Sequence, residues 1–111
     1  MHHLGCWKDA QNRAIAGSPQ MLYDPETAVE LCRIITEGMG YNIFGLQNSI
    51  SSMIECYISA DAGDTYQKYG AGTGCTNGRG GLLLNDVYEK RCLGTYKDTA
   101  TIVRRFVNIS K

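Results

Sequence analysis

Histidine is nearly absent: the chain has two, His2 and His3, side by side at one end. A terminus expected to fray gives no basis for a Ser-His or Cys-His nucleophilic pair. No cysteine pair shows CxxC spacing, which argues against zinc, and no metal or other cofactor is expected. The charge has no dominant sign, since eleven basic and eleven acidic side chains give a net charge of zero. Nucleic acid or an anionic membrane would call for a cationic surface, and the lone basic pair Arg104 and Arg105 does not supply one. No apolar run approaches the roughly 20 residues that cross a bilayer, so membrane insertion is not expected. The glycine-rich stretch "GAGTGCTNGRGG" matches neither GxxxxGK[ST] nor a GxGxxG opening a helix, and it reads as a loop leading into a strand.

Catalysis is therefore not expected. Loop carboxylates at Glu55, Asp61, Asp64 and Asp86 are read as solubilising surface groups. The 111 residues, 43% hydrophobic and 20% charged, fit one globular domain.

Five cysteines, Cys6, Cys32, Cys56, Cys75 and Cys92, are the most informative count. Spaced widely in a small domain, they read as disulfide partners with one left over, and so as a secreted, extracellular protein. The sequon Asn108-Ile109-Ser110 is a glycosylation acceptor in that setting. Met1 leads straight into "HHLGCW", which reads as a mature segment presented without its signal peptide.

The clearest helix is announced by "YDPETAVELCRIITEGMG". Asp24 is placed to cap it, Pro25 suits the first helical position, and Glu26 suits the positive end of the dipole. Ala28, Leu31, Cys32 and Ile35 predict its buried face, and Gly38 its left-handed stop. Strands are predicted at His3 to Lys8, at Arg13 to Ile15, through "YNIFGLQN", through "SSMIECYIS" and through Val87 and Tyr88. In the fourth, Met53, Glu55 and Tyr57 share one face, and Ile54, Cys56 and Ile58 the other. "SADAGDTYQKYG" predicts a short helical turn ended by Gly70. The whole is an α+β domain, one main helix packed on a small antiparallel sheet and stapled by disulfides. Cys32 on the helix and Cys56 on the strand are the first pair expected; Cys6 with Cys75 is the preferred second, leaving Cys92 over, and the alternatives are Cys92 with Cys6 or between chains.

Seven tyrosines and one tryptophan in a neutral, glycine-rich domain suit binding, because amphipathic rings stack on sugars or anchor protein contacts. Trp7, Asp9 and Arg13, or Tyr66 and Tyr69, are the candidate ligand-binding residues. Trp7 is expected to pack on the neighbouring disulfide, and Asp9 with Arg13 to form a local ion pair.

The order "LGCWKD…RAI", "AVELC", "GYNIFGLQN", "ECYIS" and "C…GRGG…NDVY" resembles the WSC domain across residues 4–90. The resemblance implies a PAN/apple-like fold and extracellular carbohydrate binding or adhesion. The chain departs from the family by carrying fewer cysteines: Thr36 and Ile58 stand where further ones would. Residues 91–111 read as an extension that resembles the start of a second repeat, because "LGTYKD" at 93–98 echoes "LGCWKD" at 4–9. The β-branched "TIVRRFVNIS" could add a strand or make a homodimer. The expected function is a lectin-like or adhesive module without catalysis, its partners glycans or extracellular proteins. The alternative is a structural module that self-associates through residues 91–111.

Overall fold

A computed structural model describes residues 1–50 and 53–90; Cys92, Asn108 and the proposed extension lie outside them. Strand β1 (His2–Lys8) is followed by β2 (Gln20–Leu22), helix α1 (Ala28–Gly38), β3 (Ile43–Ile50), β4 (Met53–Ile58), the short helix α2 (Ala62–Thr65) and β5 (Leu84–Glu89). All pairings are antiparallel, in the order β1-β5-β3-β4-β2. The architecture is α+β, one sheet and one main helix.

The helix begins as its sequence dictates. Asp24 Oδ1 accepts from the Glu26 amide at 3.2 Å, and Oδ2 accepts from the Thr27 hydroxyl at 3.0 Å. A single 3₁₀ turn, Pro25–Thr27, then feeds α1. Its buried residues are Ala28, Cys32 and Thr36, whereas Leu31 faces solvent. Thr36 can be buried because its hydroxyl donates to the Cys32 carbonyl at 2.7 Å. The stop also differs from expectation. Gly38 is the last helical residue, and Gly40, at φ +79°, takes the left-handed position. There Gly40 N–H donates to Glu37 O and Tyr41 N–H to Thr36 O, the paired bonds of a Schellman ending.

Strand β3 lies at the centre of the sheet and is buried on both faces, so its sequence alternates poorly. Phe44 and Leu46 face α1 together with Leu22, Ile54, Cys56 and Tyr88. On the opposite face Ile43 joins Ile15, Tyr57, Ala62 and Val87. The alternation predicted for β4 holds, with Ile54 and Cys56 on the helix side and Tyr57 on the other.

Two strand expectations are corrected. Arg13 to Ile15 form no strand; this loop lays the fully buried Ile15 on the sheet, and the second strand is Gln20–Leu22. The Ala14 amide is bound by the Asp9 side chain, which takes the place of a ladder bond. His2 and His3 belong to β1, opposite Glu89 and Tyr88, rather than to a frayed end. His3 Nε2 lies 2.7 Å from Asp86 Oδ1, and its ring is 4.8 Å from that of Tyr88.

Disulfides join Cys32 to Cys56, fastening α1 to β4, and Cys6 to Cys75, fastening β1 to the glycine-rich loop. They close loops of 24 and 69 residues. In the chain-entropy picture these contribute about 3 and about 4 kcal/mol. The glycine-rich loop also covers the outer edge of β1, where Lys8 N–H donates to Gly70 O and Gly72 N–H donates to Cys6 O. Among the described residues no helix is long and apolar enough to cross a membrane.

Gly80 is the tightest glycine. Its φ is +73°, and a Cβ there would lie 2.0 Å from Leu46 O. Gly38 has no positive φ, and a Cβ would meet nothing within 4 Å. Gly80→Ala should therefore cost about 3 kcal/mol or more, while Gly38→Ala should be neutral or stabilise by up to about 1 kcal/mol. Denaturant midpoints of the two variants check this. A pH effect comes from Tyr88, whose hydroxyl donates to Gly78 O at 2.7 Å. Burial, reinforced by the Asp86 charge, pushes its pKa up to about 12. The folded state thus holds the phenolic proton more tightly than the unfolded chain, whose tyrosine titrates near 10. That stabilisation is complete below pH about 10 and is lost as pH rises towards about 12. Unfolding curves across this window should show a fall in stability that is reduced in Tyr88→Phe.

Candidate ligand-binding face

The face of the sheet away from α1 gathers the side chains singled out in the sequence. Gly5, at φ +113°, adjoins a register shift in β1. Beyond it Trp7 is half-buried, its indole Nε1–H donating to Leu4 O at 3.0 Å. The indole meets the Tyr66 ring edge-on, with centroids 5.3 Å apart and planes at 82°. Trp7 was expected on the disulfide. Successive strand residues point to opposite faces, so Trp7 packs with Leu4 and Tyr66 over the Ile15, Tyr57 and Val87 cluster instead.

Asp9 anchors the loop that follows. Its Oδ1 accepts from the Ala14 amide at 2.7 Å, and Oδ2 accepts from Arg13 Nη1 at 3.1 Å and from Gln47 Nε2. Its own N–H donates to Leu83 O at 2.9 Å, so backbone and side chain are both engaged. The residue is 8% exposed. A buried carboxylate is tolerated when cations and donors surround it, as they do here. Arg13 forms the expected ion pair, and its guanidinium carbon sits 5.3 Å from the centre of the Tyr57 ring. Burial, joined by the charges of Glu55 and Asp9 and opposed by Arg13, raises the Tyr57 pKa.

The two tyrosines sit just after α2, on turns that end at Gly70 (φ +89°). They separate: Tyr66 turns inward to Trp7, while the Tyr69 hydroxyl donates to the Asn12 carbonyl in the loop held by Asp9. Lys68 Nζ lies 5.3 Å from the Tyr69 ring centroid. The structure thus brings the two sequence-derived groups into one face. Trp7 is linked to Tyr66, and Asn12 links the Asp9–Arg13 loop to Tyr69.

Sequence reading passed over Gln47, Tyr57 and Asn85 as parts of this layer. Gln47 and Asn85 are completely buried beneath it. Gln47 Oε1 and both amide atoms of Asn85 have no hydrogen-bond partner among the described residues. The available signal was alternation: Ile43, Gly45 and Gln47 share the face opposite Phe44 and Leu46, which placed a polar side chain inside a central strand. A separate open groove of about 450 Å³ lies across the fold, lined by Gln20, Ile35, Met39, Tyr41, Ile58 and Ser59. Nothing in the sequence marked it, because its walls come from β2, α1 and the end of β4. Among the described residues, no group of three or more His, Cys, Asp or Glu side chains is placed to hold a metal ion.

Compared with known proteins, the chain matches no family model and no curated protein.

Asp9→Ala removes a shared acceptor and leaves Arg13 and Gln47 facing each other without it. We expect a loss of about 3 kcal/mol, and a smaller loss of about 2 kcal/mol for Arg13→Ala, whose buried partner keeps two neutral donors but loses the guanidinium charge. Chemical denaturation measures both. Hydrogen exchange at the Ala14 amide should accelerate in Asp9→Ala alone.

Proposed function

We propose that this chain is a secreted, disulfide-stapled binding module of WSC-like, PAN/apple-like fold that holds glycans without catalysis. The carrying observation is the convergence of Trp7, Arg13, Tyr66 and Tyr69 on one face, beside a loop whose backbone is fixed by the buried Asp9. Saccharides are recognised by an aromatic ring against the sugar face with nearby polar groups for its hydroxyls. Here the Tyr69 ring, Lys68, Asn12 and Arg13 supply that mixture. Asp9 itself acts from beneath, by holding Arg13 and the Asn12 loop in place. Two disulfides in a small domain support an extracellular setting.

The second reading is an extracellular protein-interaction module. The groove beside the short edge strand β2 favours it, since Met39 is 55% exposed there next to Ile35 and Ile58.

A glycan array on oxidised protein separates the two. The glycan reading expects a coherent set of bound sugars, with affinity falling at least about tenfold in Tyr69→Ala and in Arg13→Ala. Both variants should retain the wild-type circular dichroism. Sugar binding unchanged in both would move the site elsewhere. A blank array would overturn the glycan reading and leave the groove, tested by Met39→Glu in a pull-down with candidate extracellular proteins.

A further inference from the structure

Beneath the Asp9 loop, two buried amides from adjacent strands are left without partners by the protein itself. Gln47 on β3 and Asn85 on β5 are both fully buried. Leu46 pairs with Asp86, and the next step along each antiparallel strand brings Gln47 towards Asn85. The backbone confirms how close the strands are there. A Cβ on Gly80 would lie 2.0 Å from Leu46 O and 2.5 Å from Leu84 O, the carbonyls that precede Gln47 and Asn85. Both side chains point away from α1, because Leu46 and Tyr88 take the helix side. Trp7 lies across from Asn85 on β1, and Ile15 roofs the layer: a Cβ on Gly45 would meet Ile15 Cδ1 at 2.9 Å and Asn85 Oδ1 at 3.1 Å.

Asp9 fixes which way Gln47 faces. A carboxylate only accepts, so Gln47 turns Nε2 to it and directs Oε1 elsewhere. Oε1 then needs a donor. Asn85 brings one donor, Nδ2, and a further acceptor, Oδ1, yet none of these three atoms has a hydrogen-bond partner among the described residues. Leaving such a group unmatched costs about 1–3 kcal/mol, so a partner is expected. A cation there would face the Nδ2 hydrogens with Arg13 nearby, and an anion would face Oε1 beside Asp9. The partner must therefore be neutral, small, and able both to give and to accept a hydrogen bond. Water meets all three conditions.

We propose that a water molecule is bound inside this layer as a fixed part of the fold, bridging Gln47 and Asn85. It donates to Gln47 Oε1 and accepts from Asn85 Nδ2. By holding Oε1 on the inner side, it keeps Nε2 on Asp9, and so backs the clamp that carries Arg13 and the Ala14 amide. Buried waters occur on the order of once per 27 residues, so one such site is ordinary in a chain of 111. The site does not depend on what the outer face binds.

Two measurements on the oxidised full chain test it. A crystal structure should show one water within about 3.2 Å of both Gln47 Oε1 and the Asn85 amide nitrogen. A direct bond between the two amides, or no water at either, overturns the proposal. In solution, the side-chain amide protons of Gln47 and Asn85 should show nuclear Overhauser cross-peaks to water, with the sign that marks a residence longer than molecular tumbling. Absence of both cross-peaks overturns it. Asn85→Leu, which keeps the volume and removes both polar atoms, should abolish the cross-peak at Gln47. A cross-peak that persists there shows a water not shared with Asn85 and overturns the bridge. Should that variant not fold, the two wild-type measurements decide.

Discussion

A single buried carboxylate sets the shape of one whole side of this domain. Asp9 closes β1, ties the Ala14 amide back to itself, pairs with Arg13 and reaches Gln47 on the central strand. Those bonds let an irregular loop lie on a sheet, where it would otherwise bury unsatisfied backbone groups. Because the loop is held, Ile15 can roof the core, and Asn12 can present its carbonyl to Tyr69. Breaking the clamp would release both the packing and the candidate binding face.

The other side of the sheet is organised by apolar burial and covalent bonds. Helix α1 rests on Phe44, Leu46 and Ile54 through a narrow stripe of Ala28, Cys32 and Thr36. A stripe of small residues lets the helix approach the sheet closely, and the Cys32–Cys56 bond fixes its distance. At the far edge the glycine-rich loop is drawn in by Cys75 and held by the Asp86 carboxylate, which accepts from the Gly80 amide at 2.8 Å. Asp86, read in the sequence as a surface charge, is 2% exposed and works as a structural acceptor for Gly80 and His3.

The proposed binding face and the packing of the fold share residues. Trp7 and Tyr66 are half in the core and half at the surface, so they hold the fold while lining the face proposed for a ligand. Tyr69 is not among the side chains packed on the Ile15, Tyr57 and Val87 cluster, which makes it the informative position for separating recognition from folding. The groove beside β2 is built differently, around the exposed Met39 with Gln20, Ile35 and Ile58 in its walls.

The sequence by itself determined the elements whose signals are local. The Asp24-Pro25 start of the helix, the two faces of β4 and the glycine-rich loop follow from capping, alternation and backbone freedom acting within a few residues. Tertiary structure decided the rest. Leu31, expected on the buried face, is exposed, and Thr36 is buried because its hydroxyl is satisfied by its own helix; β3 blurs its alternation because both its faces are covered. Arg13 to Ile15 became a loop because a side chain, Asp9, supplies the partner a strand would have offered. The joining of Trp7 to Tyr66, and of Asn12 to Tyr69, depends on contacts between residues more than fifty apart in the chain. Local propensity carries no record of such contacts, and only the packed sheet brings them together.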